Sequence, residues 1–393
     1  MNIVIQKFGG TSVATEESRN YVIQKIIDIK LKGKMPVVVV SAMGRKGDPY
    51  ATDTLLQITN TMDLHECLRE KDLLMSCGEI ISAVVLVTTL LQKGYKAMAF
   101  TGGQAGIITD EQFGQAHVLE VNSQTLQKVI NEGFIPIVSG FQGISKNGNI
   151  TTLGRGGSDT TAALLGEALK AESIEIYTDV DGIMTTDPRI YPKAQRIHCL
   201  SYNEVFQMAD NGARVIHPRA VQIARRANIP LYIKNTFNDS KGTCILHCPV
   251  SPIPLVTAIA YRSQRVQISI IDEKVEDEIF FALLAKEGVS IDIINIFPER
   301  KVFTIDEECL PLVFALLEKQ KINFSYIKDC CKITMIGEGM TGVPGVMAKI
   351  LRCLKNEHVE ILQTADSLMT IACLIYNKDL SRAIKVLHQE FQL

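Results

Sequence analysis

Two glycine-rich turns and a scatter of carboxylates carry the chemistry this sequence can offer. The first turn, Lys7–Ser12 (KFGGTS), follows a short β-branched run and leads into a helical stretch. Its glycines let the backbone come close to a ligand, and amides in such a turn can hold phosphate oxygens. Lys7 adds a point charge. An ordinary strand-to-helix turn would read the same way, and the P-loop pattern G-x-x-x-x-G-K-[ST] occurs nowhere. The second turn, Leu153–Ala163 (LGRGGSDTTAA), sets Arg155 between Gly154 and Gly156. A guanidinium can grip a carboxylate with two parallel bonds. Ser158 or Asp159 falls where a helix N-cap is expected, but capping has no use for an arginine between two glycines.

Asp179, Asp181 and Asp187 lie within Thr178–Arg189 (TDVDGIMTTDPR). Such carboxylates can accept ribose hydroxyls or assist a metal, and any one of them also suits a solvated turn. Glu79, in SCGEIIS, reads as the start of a helix over Gly78–Gln92. A negative charge at a helix start stabilises it by about 0.3–1 kcal/mol, so alone it proves nothing. Gly337, Gly339 and Gly342 fit G-x-G-x-x-G. Only one short βαβ unit follows, too little for a dinucleotide fold, and the loop suits a small amino-acid-binding module instead.

The elements that must position these groups alternate. Ile3–Gln6 and Pro36–Ser41 read as strands, the latter buried on both faces by its valines. Helices are expected over Glu16–Lys32, Thr54–Asn60, Ser123–Glu132 and Ser158–Ala171. Further strands are expected at Lys96–Thr101, Ile135–Ser139, Ser173–Thr178 and Ile229–Lys234. This rhythm implies a parallel-rich sheet covered by helices. The proline-rich stretch 248–255 reads as a linker. After it come two βαββα cycles, the first over residues 264–329 and the second ending the chain. The second lacks a closing strand, which Leu255–Ala260 can supply. The expected division is then 1–247, a linker at 248–255, a module at 264–329 inserted into a second one, and that second one made of 256–263 plus 330–393.

Composition narrows the class. The 393 residues are 46% hydrophobic and 21% charged with a net charge of −2, enough apolar material for large cores. That balance gives no strong field for nucleic acid or an anionic membrane. No signal peptide is read at the N-terminus, and no uninterrupted apolar run approaches the ~20 residues of a membrane span. The ten cysteines form no disulfide pattern. Cys244, His247 and Cys248 lack a second pair with zinc-type spacing, and Cys330–Cys331 read as small buried apolar residues. A cytoplasmic location is expected.

Taken in order, KFGGTS, VVSAMG (Val39–Gly44), TD (Thr52–Asp53), SCGE (Ser76–Glu79), TGGQAG (Thr101–Gly106), GFQG (Gly140–Gly143), GRGGSDTTAA (Gly154–Ala163), YTDVDG (Tyr177–Gly182) and TTDPR (Thr185–Arg189) resemble the aspartokinase family over essentially the whole chain. The likeness is to the short monofunctional bacterial type with two C-terminal ACT modules, and ILQTADS (Ile361–Ser367) looks like the diaminopimelate-sensitive kind.

The resemblance implies an α/β amino-acid kinase fold followed by two ferredoxin-like βαββαβ ACT domains. It implies phosphorylation of L-aspartate by ATP with Mg²⁺, the first step toward diaminopimelate, lysine, threonine and methionine. As catalytic residues it implies Lys7, Arg155 and Asp159. Aspartate would be held by Ser41, Thr52, Glu79, Arg155, Gly156, Gly157 and Ser158. ATP would be held by Lys7, Phe8, Gly9, Gly10, Thr178, Asp179, Thr185, Asp187, Pro188, Arg189 and Arg214. No resident metal ligand is expected. An amino-acid effector (lysine, threonine or diaminopimelate) and a homodimer through the ACT modules are implied as partners, with no nucleic acid and no membrane. Two departures stand out: Arg214 replaces the family's usual lysine, and the first ACT unit begins IDEKVEDEIF without the usual glycine. The competing readings are a glutamate, acetylglutamate or UMP kinase of the same fold, and a catalytically silent amino-acid sensor.

Overall fold

The structure, a computed structural model, describes residues 2–58, 67–213, 216–247, 254–271 and 277–393. It divides into two compact units. The first comprises residues 1–183, 196–209 and 214–250; the second comprises 184–195, 210–213 and 251–393. Two short pieces from within the expected catalytic segment 1–247 thus fold with the second unit. Most of the expected linker, 248–253, lies outside the described residues.

In chain order the first unit's strands are β1 Ile3–Phe8, β2 Met35–Val40, β3 Ala97–Phe100, β4 Ile107–Thr109, β5 Val118–Val121 and β6 Ile135–Ser139. They continue as β7 Gln142–Ser145, β8 Ile150–Thr152, β9 Ser173–Thr178, β10 Cys199–Ser201, β11 Leu231–Asn235 and β12 Thr243–Leu246. Its helices are α1 Gly10–Val13, α2 Glu16–Leu31, α3 Thr52–Gln57, α4 Leu68–Gln92, α5 Gln124–Asn131, α6 Gly157–Ala168, α7 Tyr202–Asp210 and α8 Pro218–Ala227.

The main sheet has the order β10-β12-β11-β9-β1-β2-β6-β3. Its pairs are parallel except β11 with β12. β1 is central, and the chain crosses from it to β2 on one side and returns as β9 on the other. The loops after such parallel strands gather at one edge, where open α/β sheets bind ligands. Val37 to Val40 are fully buried, which explains the run of valines. Helices α2 and α4 close one face through Ile23, Ile26, Leu86 and Leu90. Helix α6 packs on β1, β2 and β9. A second sheet, β5-β4-β7-β8, stands beside them. Helix α4 is long and apolar enough to cross a membrane by length and composition, but half of that stretch is buried within the unit.

The second unit's strands are β13 Ala258–Ile270, β14 Ile294–Ile296, β15 Lys301–Asp306, β16 Phe324–Ile336, β17 Ile361–Asp366 and β18 Thr370–Tyr376. Its helices are α9 Asp277–Lys286, α10 Leu310–Lys319, α11 Val346–Asn356 and α12 Leu380–Glu390. One antiparallel sheet runs β14-β15-β13-β16-β18-β17. The long strands β13 and β16 serve both halves. Ala258–Arg262 faces Lys332–Ile336, and after a bulge Arg265–Ile270 faces 324–330. Each half buries its own core, one around Ile268, Phe303 and Val313 and one around Ile333, Ile350 and Leu387. Ile190 and Tyr191 pack against the latter. Strand β14 at the edge is short, three residues long.

Candidate active site

Lys7 is the next-to-last residue of β1, and its Nζ lies 2.6 Å from a carboxylate oxygen of Asp159 in the first turn of α6; both side chains are nearly buried. The next residues make the turn tight. A Cβ on Gly10 would lie 2.6 Å from the Gly44 carbonyl and 2.8 Å from that of Ala42, and Gly44 N–H donates to the Gly10 carbonyl at 3.0 Å. The KFGG and SAMG loops are therefore in backbone contact, a distance only glycine permits. Ser41 N–H donates to the Phe8 carbonyl. Phe8 itself is fully buried and stacks on Tyr177, so only its backbone can face a nucleotide.

Glu79 sits where no helix start exists. Helix α4 begins at Leu68 and runs straight through Gly78. Glycine inside a helix costs about 1 kcal/mol, but a Cβ there would fall 2.8 Å from Ala42 Cβ and 2.9 Å from the Tyr50 carbonyl. Gly78 thus lets α4 approach the SAMG loop and the residues leading into α3, which Thr52 begins. The helix-dipole account of Glu79 fails, since the residue is in mid-helix and 2% exposed. Its Oε1 accepts from Ala42 N–H at 3.0 Å, while Oε2 is buried without a partner. Burial pushes its carboxyl up to about 8, against the pull of the Ala42 amide. A buried carboxylate with a free oxygen is poised for a cation.

The GRGGS turn is built on two left-handed glycines, Gly154 at φ +73° and Gly156 at φ +72°, and Arg155 between them is exposed. Ser158 and Asp159 are inside the first turn of α6 rather than at its N-cap, because Gly156 occupies the cap. Gly156 also faces the ring of His217, which a Cβ would overlap. His217 caps α8 by accepting from Arg219 N–H, and Arg219 Nη1 donates to the Leu153 carbonyl. Burial and the nearby Arg219 charge lower the His217 pKa. Ser158 is almost buried and lies against Gly140, where a Cβ would come within 2.8 Å.

Asp179 follows β9 and pairs with Arg45 of the SAMG-side loop at 2.5 Å, while Thr178 donates to its other oxygen. Asp181 is occupied by Asn235 and Asn238, whose amides hold its carboxyl below the usual range.

The structure therefore gathers Lys7, Gly9, Gly10, Ser41, Glu79, Gly156, Gly157, Ser158, Asp159, Thr178 and Asp179 in one unit, most of them on strand ends, loops and helix starts and Glu79 in mid-helix. Thr185, Asp187, Pro188 and Arg189 fold with the second unit. There Thr185 bonds His388, and Asp187 is held by Arg189 and Tyr261, with Arg189 chiefly lowering its pKa. Arg214 lies outside the described residues. Arg45, Asp72, His217 and Arg219 were not singled out from the sequence; only His-Pro-Arg before a helical run could have flagged the last two.

Comparison with known proteins adds the lineage. Residues 2–235 match the amino acid kinase family, and residues 325–389 match an ACT domain. Aspartokinase 1 of Bacillus subtilis is 40% identical, over all of both chains. The structure of E. coli aspartokinase III in complex with aspartate and ADP, in the R-state, superposes with a TM-score of 0.82 at 26% identity, covering all of both chains. The T-state of that enzyme, in complex with lysine and aspartate, gives 0.77 at 26% identity over 99% of each. With its central Gly-loop site and its paired C-terminal modules, the chain belongs to the aspartokinases, within the amino acid kinase family.

Proposed function

We propose that this protein is an aspartate kinase: the β-carboxylate of L-aspartate attacks the γ-phosphorus of ATP. A P–O bond to the carboxylate forms as the bond to the bridging oxygen breaks, giving 4-phospho-aspartate and ADP. The nucleophile, with a pKa near about 4, is already ionised at neutral pH, so no general base is required. The barrier is the meeting of two anions, and the site must supply positive charge and alignment.

Lys7, with the Gly9 and Gly10 amides, faces the phosphates, and Asp159 holds its ammonium in place. Arg155 clamps the substrate α-carboxylate, and Glu79 takes the α-ammonium. Ser41, Thr52, Gly156, Gly157 and Ser158 line the amino acid. Thr178 and Asp179 bind ATP, with Arg214. Mg²⁺ belongs with the nucleotide. Such an ion would be held mainly by the nucleotide rather than by the chain, and among the described residues no three His, Cys, Asp or Glu groups converge to hold it. Bound there, it would neutralise phosphate charge.

The observation that carries the acceptor assignment is Glu79, whose buried, unpartnered oxygen has no structural purpose and suits an ammonium. Glu79→Gln should raise the aspartate KM at least tenfold with little change for ATP; an unchanged aspartate KM would remove the assignment.

Residues 264–329, and 256–263 with 330–393, we read as two regulatory modules. Feedback through them by lysine, threonine or diaminopimelate is our reading, supported by a relative solved in complex with lysine. A homodimer through this unit is supported by β14, an edge strand with Ile294 and Ile296 exposed and the exposed Phe297 just after it, since unpaired apolar edges invite pairing. A cytoplasmic location fits such an enzyme.

A further inference from the structure

Helix α4 carries a second buried carboxylate that the reaction does not use. Asp72 is fully buried, and it accepts from Thr152 N–H at 2.7 Å, from the Thr152 hydroxyl at 2.8 Å, and from Gly114 N–H at 3.0 Å. No cation faces it in these contacts. A carboxylate out of water without a counter-ion is costly, and for holding a helix in a core an apolar residue serves as well or better. What three donors on one carboxylate provide is direction: they fix where Thr152 and Gly114 sit relative to the helix.

Thr152 ends β8. Three residues later stands Arg155, on the turn made of left-handed Gly154 and Gly156. Glu79 stands seven residues after Asp72 on the same buried face of α4, a separation of about two helical turns, or ~10 Å of rigid helix. One helix therefore bears the residue read as the ammonium ligand and, through Asp72, anchors the strand end that launches the residue read as the carboxylate ligand. The next residue, Leu153, is braced in turn by Arg219, which donates to its carbonyl.

We propose that Asp72 is a positioning residue of the amino-acid pocket, setting the span between Glu79 and Arg155 through its bonds to Thr152 and Gly114. This rests on the assignment of Glu79 and Arg155 as the two ends of the substrate clamp. It makes Asp72 a determinant of which amino acids fit, because the span decides how far apart the ammonium and carboxylate ligands stand.

The test is steady-state kinetics of the full chain with Asp72→Asn, Thr152→Val and the double variant, alongside Arg155→Ala. Asp72→Asn should raise the aspartate KM about tenfold, with ATP KM and kcat within about threefold. Thr152→Val, which removes only the hydroxyl bond, should raise it about threefold, and the double variant should be no worse than Asp72→Asn. If Arg155→Ala raises the aspartate KM while Asp72→Asn and Thr152→Val only lower Tm, Asp72 is a core residue and the inference is overturned. If Arg155→Ala leaves the aspartate KM unchanged, the clamp assignment fails and the inference falls with it. Should Asp72→Asn not fold, Thr152→Val decides: an unchanged aspartate KM overturns the proposal.

Discussion

The ammonium of Lys7 stands 2.6 Å from the carboxylate of Asp159, tying the end of the central strand to the first turn of helix α6. The pair is close to buried, so Lys7 is held in a single direction rather than swinging in solvent. Lys7→Ala should lower kcat by about 10²–10³, the usual cost of removing one electrostatic contact to a developing charge, with modest change in the aspartate KM. Single-turnover rates measure this directly. An unchanged kcat would take Lys7 out of the mechanism.

Gly9 and Gly10 differ in what they face. A Cβ on Gly9 meets its nearest atoms at 3.8 Å, whereas one on Gly10 would press on two backbone carbonyls. Gly10→Ala should therefore destabilise the fold by about 1–3 kcal/mol, while Gly9→Ala leaves Tm near its original value. Thermal melts of the two variants, run together, distinguish them. Equal melts would mean the contact between the KFGG and SAMG loops is looser than described.

Glu79 makes the pH dependence specific. Its carboxyl is raised from 4.5 to about 8 by burial, so the native protein keeps a proton that the unfolded chain has released. The associated stability is complete below the unfolded value and is lost as pH rises through about 8. Aspartate binding should act in reverse: its ammonium draws Glu79 into the charged form and expels the proton. Affinity for aspartate should climb with pH toward about 8, by at most about tenfold per unit, and then level off. Glu79→Gln should flatten both profiles, as read by calorimetric titration and by melts over the same range.

Feedback is tested most simply by rate. Lysine, threonine and diaminopimelate, alone and in pairs, should include at least one inhibitor whose affinity is altered by aspartate, since coupling between sites is reciprocal. No change with any combination would leave the second unit without a regulatory role.

Much of this was legible in the residues. The continuous valines of β2, the glycine turns after β1 and before α6, and the βαββα repeat mark the fold class, because buried parallel strands and ligand-approaching loops leave few choices of residue. The start of α4 was not legible. Gly78 reads as the first residue of a helix, and only the approach of Ala42 and Tyr50 explains why it lies inside one. The small sheet was also invisible, since strands of three or four residues such as β4 and β8 carry almost no period. Asp72 and Arg219 act across 80 and 66 residues of chain, and no local pattern encodes such partners. TTDPR reads as a nucleotide segment, yet its Thr185 and Asp187 find their bonds in the second unit.

The central claim is the acceptor. ATP- and Mg²⁺-dependent acyl-phosphate formation, trapped with hydroxylamine, should be run with aspartate, glutamate and acetylglutamate side by side, and ADP release followed with UMP. A hydroxamate with aspartate alone is the predicted result. A hydroxamate with a different acid, or ADP release only with UMP, would contradict the pocket assigned to Glu79 and Arg155, and silence with every acceptor would contradict the assignment of a kinase.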